Sequence, residues 1–388
     1  MTKNDFIPLS VPNLKGNELK YVTNAIESEW VSTGGSYINK FEENIANYLN
    51  VSEAVACQSG TAAIHLALIV SGVKENDEVL VPTLTFIAAV NPVRYCKAYP
   101  VFMDCDDSLT IDPVKLNEFC ENECSFIDGV LINKKSNRKI KAIVVVHVFG
   151  NMANMEIIMS ISKKYNLRVI EDSTEALGSY YTEGFYKGKF AGTIGDFGCY
   201  SFNGNKIITT GGGGMLVAKE KDELLRAKHI STQAKSDVIN YTHDEIGYNY
   251  RMTNLQAALG VAQLENLEDF IAIKKKNYML YEELLKNEKK LEILEFDKKI
   301  RSNYWFYSLV IKDSKFSRDE VIKILSENRI QTRPIWGLIH DQIPYKDSQS
   351  YKIENARYYY ERVVNIPCST NLESNQVERV VKSIKNIF

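Results

Sequence analysis

Two carboxylates and one lysine occupy positions in this sequence from which they could act on a bound heterocycle. Glu171 and Asp172 end the apolar run Arg168-Val-Ile-Glu-Asp172, and Lys206 follows a second strand-like run, Gly198-Cys-Tyr-Ser-Phe202. A carboxylate ~4 Å from a pyridine nitrogen favours its protonated form by up to about 4 kcal/mol at an effective dielectric of 20. An enclosed lysine amine can attack an aldehyde on such a ring. The pairing predicts that Lys206 holds pyridoxal phosphate (PLP) as a Schiff base and that Asp172 pairs with its ring nitrogen.

Each of these residues also has an ordinary structural interpretation. Charged residues at the end of a buried strand are commonly solvated or cap a neighbouring element, and most loop lysines lie at the surface. Lys206, however, lies between an apolar strand and the turn Thr209-Thr-Gly-Gly-Gly-Gly-Met215, which favours an enclosed position. The four glycines match neither a dinucleotide fingerprint nor a P-loop. We interpret them as a turn that allows positive φ and close backbone approach.

Other candidate residues follow other predicted strands, at the edge where a parallel sheet binds its ligands. Gln58-Ser59-Gly60-Thr61 precedes a predicted helix, so its glycine and the helix N-terminus could bind a phosphate. The same residues would serve equally as a plain N-cap. Phe86 follows Pro82-Thr-Leu-Thr85 and could stack on a flat ring, with a core aromatic as the alternative. His147 ends a further strand, where a hydrogen-bonded core histidine is the default interpretation.

The elements that must position these residues alternate between strand and helix patterns. Predicted strands cover 54–57, 78–82, 99–103, 141–146, 168–172, 198–202 and 215–218. Predicted helices cover 14–29, 36–49, 61–71, 86–95, 113–120, 154–165 and 221–230. This alternation predicts an α/β fold with a mostly parallel seven-stranded sheet flanked by helices. The polar segment 121–139 has no clear period, and we expect it to form a loop.

The last part of the chain changes character. A long helical pattern runs from Thr253 towards Leu285 and would connect two lobes. Beyond it, 305–311 alternates like a strand, while 317–327 and 358–364 have helical patterns. We therefore expect a large PLP-binding domain at residues 1–265 and a small C-terminal α+β domain at residues 266–388.

The bulk composition is that of an ordinary globular protein, with 388 residues, 45% hydrophobic residues and a net charge of -2. The scattered charges give no sign of a nucleic-acid-binding face. The N-terminus lacks a signal-peptide pattern, and no apolar run approaches the ~18 residues of a membrane span. The seven cysteines lack metal-finger spacing, so we predict no metal site. Reduced thiols and a cytoplasmic location are expected.

Taken in order, the motifs resemble those of a known family. They are Ser59-Gly-Thr61, Pro82-Thr-Leu-Thr-Phe86, Glu171-Asp172, Gly195-Asp196, Ser201-Phe-Asn-Gly-Asn-Lys206, Thr210-Gly-Gly-Gly-Gly-Met215 and Gly247-Tyr-Asn-Tyr-Arg-Met252. In these motifs the chain is similar to the DegT/DnrJ/EryC1/StrS sugar aminotransferases over nearly its whole length. Phe202-Asn-Gly-Asn205, Arg333-Pro-Ile-Trp-Gly337 and Asn365-Ile-Pro-Cys-Ser-Thr-Asn371 most resemble the LegC-type branch.

The resemblance implies a type I PLP-dependent transferase fold, like that of aspartate aminotransferase, in a homodimer with shared active sites. By position, Lys206 is the Schiff-base lysine and Asp172 the pyridinium partner, and Phe86 stacks on the ring. The residues implied to hold the phosphate are Gly60, Thr61 and Ser201, with Asn249 reaching it from the other subunit. Ser59 is a further candidate cofactor-binding residue. The candidate substrate contacts are Arg251, Thr33, Gly34, His340 and Tyr345. For the last two, ordinary packing and lobe closure are an equal alternative.

One position departs from the pattern that the resemblance implies. The family usually has His or Gln three residues after the aspartate, where it packs near the 3-oxygen of the cofactor, and this chain has Glu175. An ionised carboxylate there would repel a phenolate oxygen. Glu175 is therefore expected to be protonated or to form its hydrogen bonds away from the cofactor.

The resemblance also implies the reaction. L-Glutamate would give its amino group to the cofactor, and a 4-keto-6-deoxy sugar on a nucleotide would receive it, with Lys206 as both acid and base. The LegC-like motifs favour a UDP-linked 2-acetamido-2,6-dideoxy-4-ketohexose, used for surface glycans or nonulosonic acids of the legionaminic or bacillosamine type. The alternatives are a GDP- or dTDP-linked 4-keto or 3-keto sugar, or a PLP-binding protein without transaminase activity. A sugar dehydratase of this fold would have His in place of Lys206.

Overall fold

A ten-stranded sheet forms the centre of the computed structural model, which describes residues 6–237, 239–313 and 315–388. Seven of its strands are the ones predicted from the sequence. They are β1 (Val55–Cys57), β2 (Glu78–Pro82), β3 (Tyr99–Met103), β6 (Lys139–Val146), β7 (Arg168–Asp172), β9 (Phe197–Ser201) and β10 (Gly214–Ala218). The sheet order is β1-β10-β9-β7-β6-β2-β3. Pairing is parallel from β9 to β3, whereas β10 is antiparallel to both of its neighbours. The predicted α/β class, with a mostly parallel sheet, is confirmed.

Three further strands extend this sheet beyond the predicted seven. They are β4 (Cys124–Ile127), β5 (Val130–Asn133) and β17 (Ser350–Tyr351). The loop predicted over residues 121–139 was therefore wrong, because β4 and β5 form a hairpin that pairs with β6. Its turn residues, Asp128 and Gly129, have φ values of 50° and 76°. An Asp-Gly pair between two strands is a strong hairpin signal, and the polar composition of the segment masked it.

Helices cover both faces of the sheet, because alternate strand residues point to opposite sides. Val144 and Val146 belong to one apolar core, and Ile143 and Val145 belong to the other. On the first side lie α2 (Ser36–Leu49), α3 (Gly60–Val70), α7 (Lys221–Ser231) and α8 (Asn254–Leu264). On the second lie α5 (Pro113–Asn122) and α6 (Met155–Tyr165). The remaining helices of this part are α1 (Glu18–Glu27) and α4 (Asn91–Tyr95).

Two of the predicted helices are interrupted in the structure. The pattern at 86–95 forms a 3-10 turn, Ile87–Ala89, followed by α4, which has Pro92 in its first turn. The long pattern from Thr253 divides into α8 and α9 (Leu267–Leu285). Between them, the side-chain amide of Asn266 donates to the carbonyl of Ala262 and so competes with the regular helix hydrogen bonds.

A second, antiparallel sheet lies in the C-terminal part of the chain. Its order is β13 (Leu291–Ile293), β15 (Tyr307–Ile311), β18 (Val363–Ile366) and β16 (Arg333–Pro334). The helices there are α9, α10 (Arg318–Glu327), α11 (Asn355–Arg362) and α12 (Ser374–Lys385). The helix predicted at 358–364 was wrong at its end, because buried Val363 and Val364 pair with β15 instead.

Backbone hydrogen bonds join residues on the two sides of the predicted domain boundary. The N–H of Ile7 donates to the carbonyl of Arg329 at 3.0 Å, and the N–H of Cys368 donates to the carbonyl of Leu9 at 2.8 Å. Conversely, β17 joins the central sheet by pairing with β3. The division at residues 265 and 266 stays a prediction.

Two small two-stranded sheets lie outside the two larger ones. They pair β8 (Tyr180–Tyr181) with the distant β14 (Ile300–Arg301), and β11 (Lys235–Asp237) with β12 (Thr242–His243). All seven cysteines lie in the described part of the chain and are free thiols. Among the helices described, none is both long and apolar enough to cross a bilayer.

Candidate active site

A cavity of about 380 Å³ opens where β1, β2, β7 and β9 end at their carboxyl edge. A cavity of this size is in the range of cofactor sites. The predicted site residues that line it are Ser59, Gly60, Thr61, Phe86, Asp172, Glu175, Ser201 and Lys206. The sheet thus brings together side chains from four separate stretches of sequence.

The adjacent acids Glu171 and Asp172 point in opposite directions, as successive strand residues must. Asp172 lines the cavity and is only 4% exposed. Its Oδ1 accepts a hydrogen bond from the N–H of Thr174 at 3.1 Å. Burial raises the pKa of Asp172, and the Thr174 hydrogen bonds and the charge of Lys206 oppose that rise. A buried carboxylate in this position favours a cationic ligand group beside it.

Glu171 lies behind the cavity and organises the loop that leads into β9. It is fully buried and accepts hydrogen bonds from the N–H groups of Ile194 at 2.7 Å, Gly195 at 2.5 Å and Gly192 at 2.9 Å. A fourth contact, 2.8 Å long, comes from Nε2 of His147. Nδ1 of His147 accepts a hydrogen bond from the N–H of Ala153, so the ring proton lies on Nε2, which donates to Glu171. His147 is the hydrogen-bonded core histidine of the default interpretation.

Glu175 has its two carboxyl oxygens in different environments. Oε2 accepts a hydrogen bond from the N–H of Phe149 at 3.0 Å, while Oε1 lies 3.5 Å from Nζ of Lys206. Burial raises the pKa of Glu175 to about 7, although the charge of Lys206 and the Phe149 hydrogen bond act to lower it. Both expectations for this residue stay predictions, because they concern its state beside the cofactor.

Lys206 is enclosed, as the glycine-rich turn after it indicated. Its side chain is 12% exposed, and Nζ lies 4.0 Å from the ring centroid of Trp305. The indole N–H of Trp305 donates to the carbonyl of Asn205 at 2.8 Å, which fixes the ring against the lysine. A cation above an indole face is favoured by the ring quadrupole. The amine is thereby held between an aromatic face and a carboxyl group.

The N-terminus of α3 forms a narrow cradle on another side of the cavity. Ser59 is the N-cap, and its hydroxyl accepts from the N–H of Ala62 at 3.1 Å. Gly60 and Thr61 lie in the first turn, where a helix supplies no acceptor for its N–H groups. A Cβ on Gly60 would come within 2.9 Å of side-chain atoms of both Ser201 and Thr174. The cradle therefore requires glycine and suits a phosphate group.

Sequence reasoning missed the aromatic wall of the cavity, formed by Trp305, Phe306 and Trp336. Trp305 and Phe306 stack at 4.1 Å between ring centroids, and Trp336 packs 4.7 Å from Phe149. Phe86 also lines the cavity and is 55% exposed. The sequence held a signal for this wall, since two of its three tryptophans lie in the C-terminal part and Trp336 belongs to the motif Arg333-Pro-Ile-Trp-Gly337.

Asn249 and Arg251 lie outside the cavity lining of this chain. Their segment runs beside β1, because Tyr250 accepts a backbone hydrogen bond from Gln58 at 2.8 Å and Arg251 bridges Cys57. Asn249 is exposed. Their assigned roles stay predictions.

The other candidate substrate residues also lie away from the cavity. Thr33 and Gly34 are in the loop before α2, which Asn254 anchors through the carbonyl of Trp30 at 2.6 Å. His340 contacts the Thr83 hydroxyl at 2.6 Å. Tyr345 is buried, and its hydroxyl donates to Asn91 at 2.6 Å. These contacts match ordinary packing in this chain, and the substrate roles stay predictions.

The fold and this arrangement of acid, lysine and phosphate cradle define a PLP-dependent aminotransferase. The chain belongs to the DegT/DnrJ/EryC1/StrS aminotransferase family, whose model matches residues 12–385. Members of this family use PLP, and solved structures of similar fold include a PLP form. The residues fit that cofactor: a buried acid for a ring nitrogen, an enclosed lysine for an aldehyde, and a helix N-terminus for a phosphate.

Several relatives of this chain are named for enzymes that make nucleotide-linked sugars. GDP-perosamine synthase of Escherichia coli O157:H7 is 38% identical over 384 residues, covering 99% of both chains. Proteins of the same name from Caulobacter vibrioides and Vibrio cholerae are each 34% identical. A UDP-4-amino-4,6-dideoxy-N-acetyl-beta-L-altrosamine transaminase of Campylobacter jejuni is 30% identical, covering 98% of this chain and 97% of its own.

A solved structure agrees with this fold. PseC of Helicobacter pylori, an aminotransferase involved in the biosynthesis of pseudoaminic acid, matches with a TM-score of 0.88 at 24% identity, covering 99% of both chains. The chain is thus an aminotransferase of the DegT/DnrJ/EryC1/StrS family, and its LegC-type assignment is not established by these relatives.

Proposed function

We propose that this enzyme transfers the amino group of L-glutamate to C4 of a GDP-linked 4-keto-6-deoxy sugar. The observation that carries the transaminase assignment is the buried cavity in which Lys206, Asp172 and the α3 N-terminus converge. The GDP nucleotide is supported by three relatives, 34% to 38% identical to this chain, that are named GDP-perosamine synthase. The UDP-linked 2-acetamido sugar favoured by the LegC-like motifs is the second candidate, supported by the relative at 30% identity.

The residues of the cavity have separate tasks in this reaction. When bound, PLP supplies an aldehyde for amine capture and a ring that accepts an electron pair. Asp172 holds a proton on the ring nitrogen, because a buried carboxylate favours a cation beside it. The first turn of α3 binds the phosphate through its free N–H groups. Lys206 would hold the aldehyde carbon, and its amine would serve as the acid and base that moves a proton at the reacting carbon.

Transfer to individual nucleotide sugars tests the substrate proposal. The full chain with PLP and L-glutamate is offered GDP-, UDP- and dTDP-linked 4-keto-6-deoxy sugars one at a time, and the amino sugar is measured by mass spectrometry. We expect kcat/KM for the GDP-linked sugar to be at least about tenfold higher, or ~1.4 kcal/mol in transition-state binding. A preference for the UDP-linked 2-acetamido sugar would overturn the GDP assignment and support the LegC-type substrate.

We also propose a homodimer in which a partner copy completes each active site. Asn249 is exposed and lies outside the cavity of its own chain, which leaves it available to a neighbour. The same region exposes Ile239, Tyr241 and Ile246, each more than two-thirds accessible. We expect sedimentation at twice 44.1 kDa and weaker PLP binding in Asn249→Ala. A monomer that binds PLP with full affinity would contradict the proposal.

We further propose that the protein lies in the cytoplasm. Seven free cysteines suit a reducing compartment, where disulfides rarely persist. Labelling of the thiols in freshly lysed cells tests this, and we expect all seven to react once the protein is unfolded without a reductant. Disulfide-linked cysteines under those conditions would contradict it.

A further inference from the structure

Lys274, in α9, is a buried lysine outside the active-site cavity. It is only 3% exposed, and its Nζ donates to the carbonyls of Trp305 at 3.0 Å and Cys368 at 2.5 Å. Its Nζ also lies 5.6 Å from the centroid of the Tyr307 ring, and no carboxylate of residues 6–237, 239–313 and 315–388 forms an ion pair with it. A buried ammonium without an acid is costly, and apolar side chains can often replace buried charges without loss of stability. What a lysine adds at this position is therefore its two directed hydrogen bonds.

The two carbonyls that Lys274 binds lie at the end of the second sheet. Pairing of β15 with β18 stops where β18 is followed by Pro367, which has no N–H to donate. In the register of that ladder, Trp305 and Cys368 lie opposite each other two residues beyond the last pair. Lys274 bridges their carbonyl oxygens and so joins the two segments where the ladder has ended. It thereby fixes the backbone of Trp305 at the point where this residue lines the cavity.

Every polar group of Trp305 has a hydrogen-bond partner. The carbonyl accepts from Lys274, the backbone N–H donates to Oδ1 of Asn303 at 3.0 Å, and the indole N–H donates to the carbonyl of Asn205 at 2.8 Å. Asn303 is fully buried, and its amide donates to two carbonyls of the loop after β7. Trp305 is thus connected to α9, to the loop after β7 and to the turn that carries Lys206.

The Trp305 ring acts on Lys206 in two ways. Its centroid lies 4.0 Å from Nζ, and its N–H holds the carbonyl of the preceding residue, Asn205. Within that turn the N–H of Lys206 donates to the carbonyl of Asn203 at 3.0 Å. Asn203 and Asn205 are exposed, and a Cβ on Gly204 would meet nothing within 4 Å, so the turn has little packing of its own. The position of Lys206 therefore depends on Trp305.

We propose that Lys274 is a positioning residue, which holds Lys206 in place through Trp305 and touches neither substrate nor cofactor. Lys274 fixes the backbone of Trp305, and the indole ring then fixes both the amine of Lys206 and the peptide before it. An acid or base must lie within hydrogen-bond reach of the proton that it moves, and a misplacement of ~1 Å can lower the rate about 10²-fold. This inference deepens the proposed transaminase function and rests on its assignment of Lys206.

The test measures hydrogen exchange in the full chain without cofactor. Lys274→Met keeps a long side chain and removes both donors, while Trp305→Phe removes the indole N–H. We expect the ratio of exchange rates in peptides covering 202–210 and 168–172 to rise about tenfold in Trp305→Phe and at least about threefold in Lys274→Met, because each change weakens a hydrogen bond that holds the turn. Lys274→Gln keeps two N–H donors and should lie between the wild type and Lys274→Met. It serves as the test variant if the methionine variant does not fold.

Lys115→Met is the matched control, because Lys115 also binds the C-terminal part of the chain. Its Nζ donates to Asp104 at 2.6 Å and to the carbonyl of Lys352 at 2.9 Å, and it does not line the cavity. This variant should leave the ratio at its wild-type value. An unchanged ratio in Lys274→Met, or an equal rise in the control, would overturn the proposal, since a merely structural lysine affects both peptides alike. The measurement uses no cofactor, so its failure differs from that of the proposed function, which would appear as PLP trapped by borohydride on a lysine other than Lys206.

Discussion

Glu171→Gln should destabilise the protein strongly, although Glu171 does not line the active-site cavity. The change preserves size and removes one acceptor oxygen from a group that receives four hydrogen bonds. If the new amide nitrogen replaces Oε1, it faces the N–H groups of Ile194 and Gly195. If it replaces Oε2, it faces the N–H of Gly192 and the protonated Nε2 of His147. Either orientation leaves two buried donors without an acceptor.

The size of the effect follows from that count. A buried donor left unpaired costs about 1–3 kcal/mol, so the substitution should lower the free energy of unfolding by about 2–6 kcal/mol. His147 cannot relieve this by changing tautomer, because a proton on Nδ1 would then face the N–H of Ala153. The loop at 191–195 should also lose protection from hydrogen exchange, since its N–H groups are the ones affected.

Urea unfolding followed by circular dichroism measures the loss, and hydrogen exchange of peptides covering 191–195 locates it. Glu223→Gln is the control, because Glu223 is 27% exposed and pairs with Arg168 at 2.6 Å. Partly exposed ion pairs contribute roughly 0–1 kcal/mol. If Glu171→Gln cost less than about 1 kcal/mol, or no more than its control, the hydrogen-bond reasoning would be refuted.

Two further substitutions test the cavity itself. Gly60→Ala places a Cβ 2.9 Å from atoms of Ser201 and Thr174, so equilibrium titration should show weaker PLP binding. Gly204→Ala is the control, because a Cβ there meets nothing within 4 Å, and it should bind PLP normally. Equal affinities in the two variants would contradict the proposal that the first turn of α3 binds the phosphate. Glu175→Gln should change how stability depends on pH in the cofactor-free chain. Because the folded pKa of about 7 lies above the ordinary 4.5, the stability contributed by the protonated carboxyl is present below pH 4.5 and is lost as pH rises through about 7. Relative to Glu175→Gln, the wild type should lose about 3 kcal/mol over that range in urea unfolding, and a constant difference would count against the raised pKa.

The parts of the molecule that sequence predicted well depend on local patterns. Strands such as Glu78–Pro82 and Arg168–Asp172 are apolar runs bounded by polar residues, and they appear with the predicted limits. Parallel pairing then places their carboxyl ends at the same edge of the sheet. The topology therefore explains why Asp172 and Lys206 line the same cavity. The opposite directions of Glu171 and Asp172 also follow from strand alternation.

Other features depend on contacts between distant segments and leave little trace in the sequence. Trp305 reaches the cavity from the C-terminal sheet, and Phe149 meets Glu175 only because its backbone adopts a left-handed conformation. The hairpin around Asp128 was missed for a different reason, since its two four-residue strands lie within a segment of polar composition. The positions of Trp305 and Phe149 in the site are therefore set by tertiary packing more than by local propensity.

Trapping of the cofactor on the full chain tests the central claim most directly. The protein is loaded with PLP, reduced with borohydride and digested, and the modified peptide is identified by mass spectrometry. We predict one pyridoxyl group per chain, on Lys206, and its loss when L-glutamate is added before reduction, because the amino donor then displaces the lysine. Modification at another lysine, or trapping that glutamate does not affect, would contradict the assignment of Lys206 as the residue on which this aminotransferase depends.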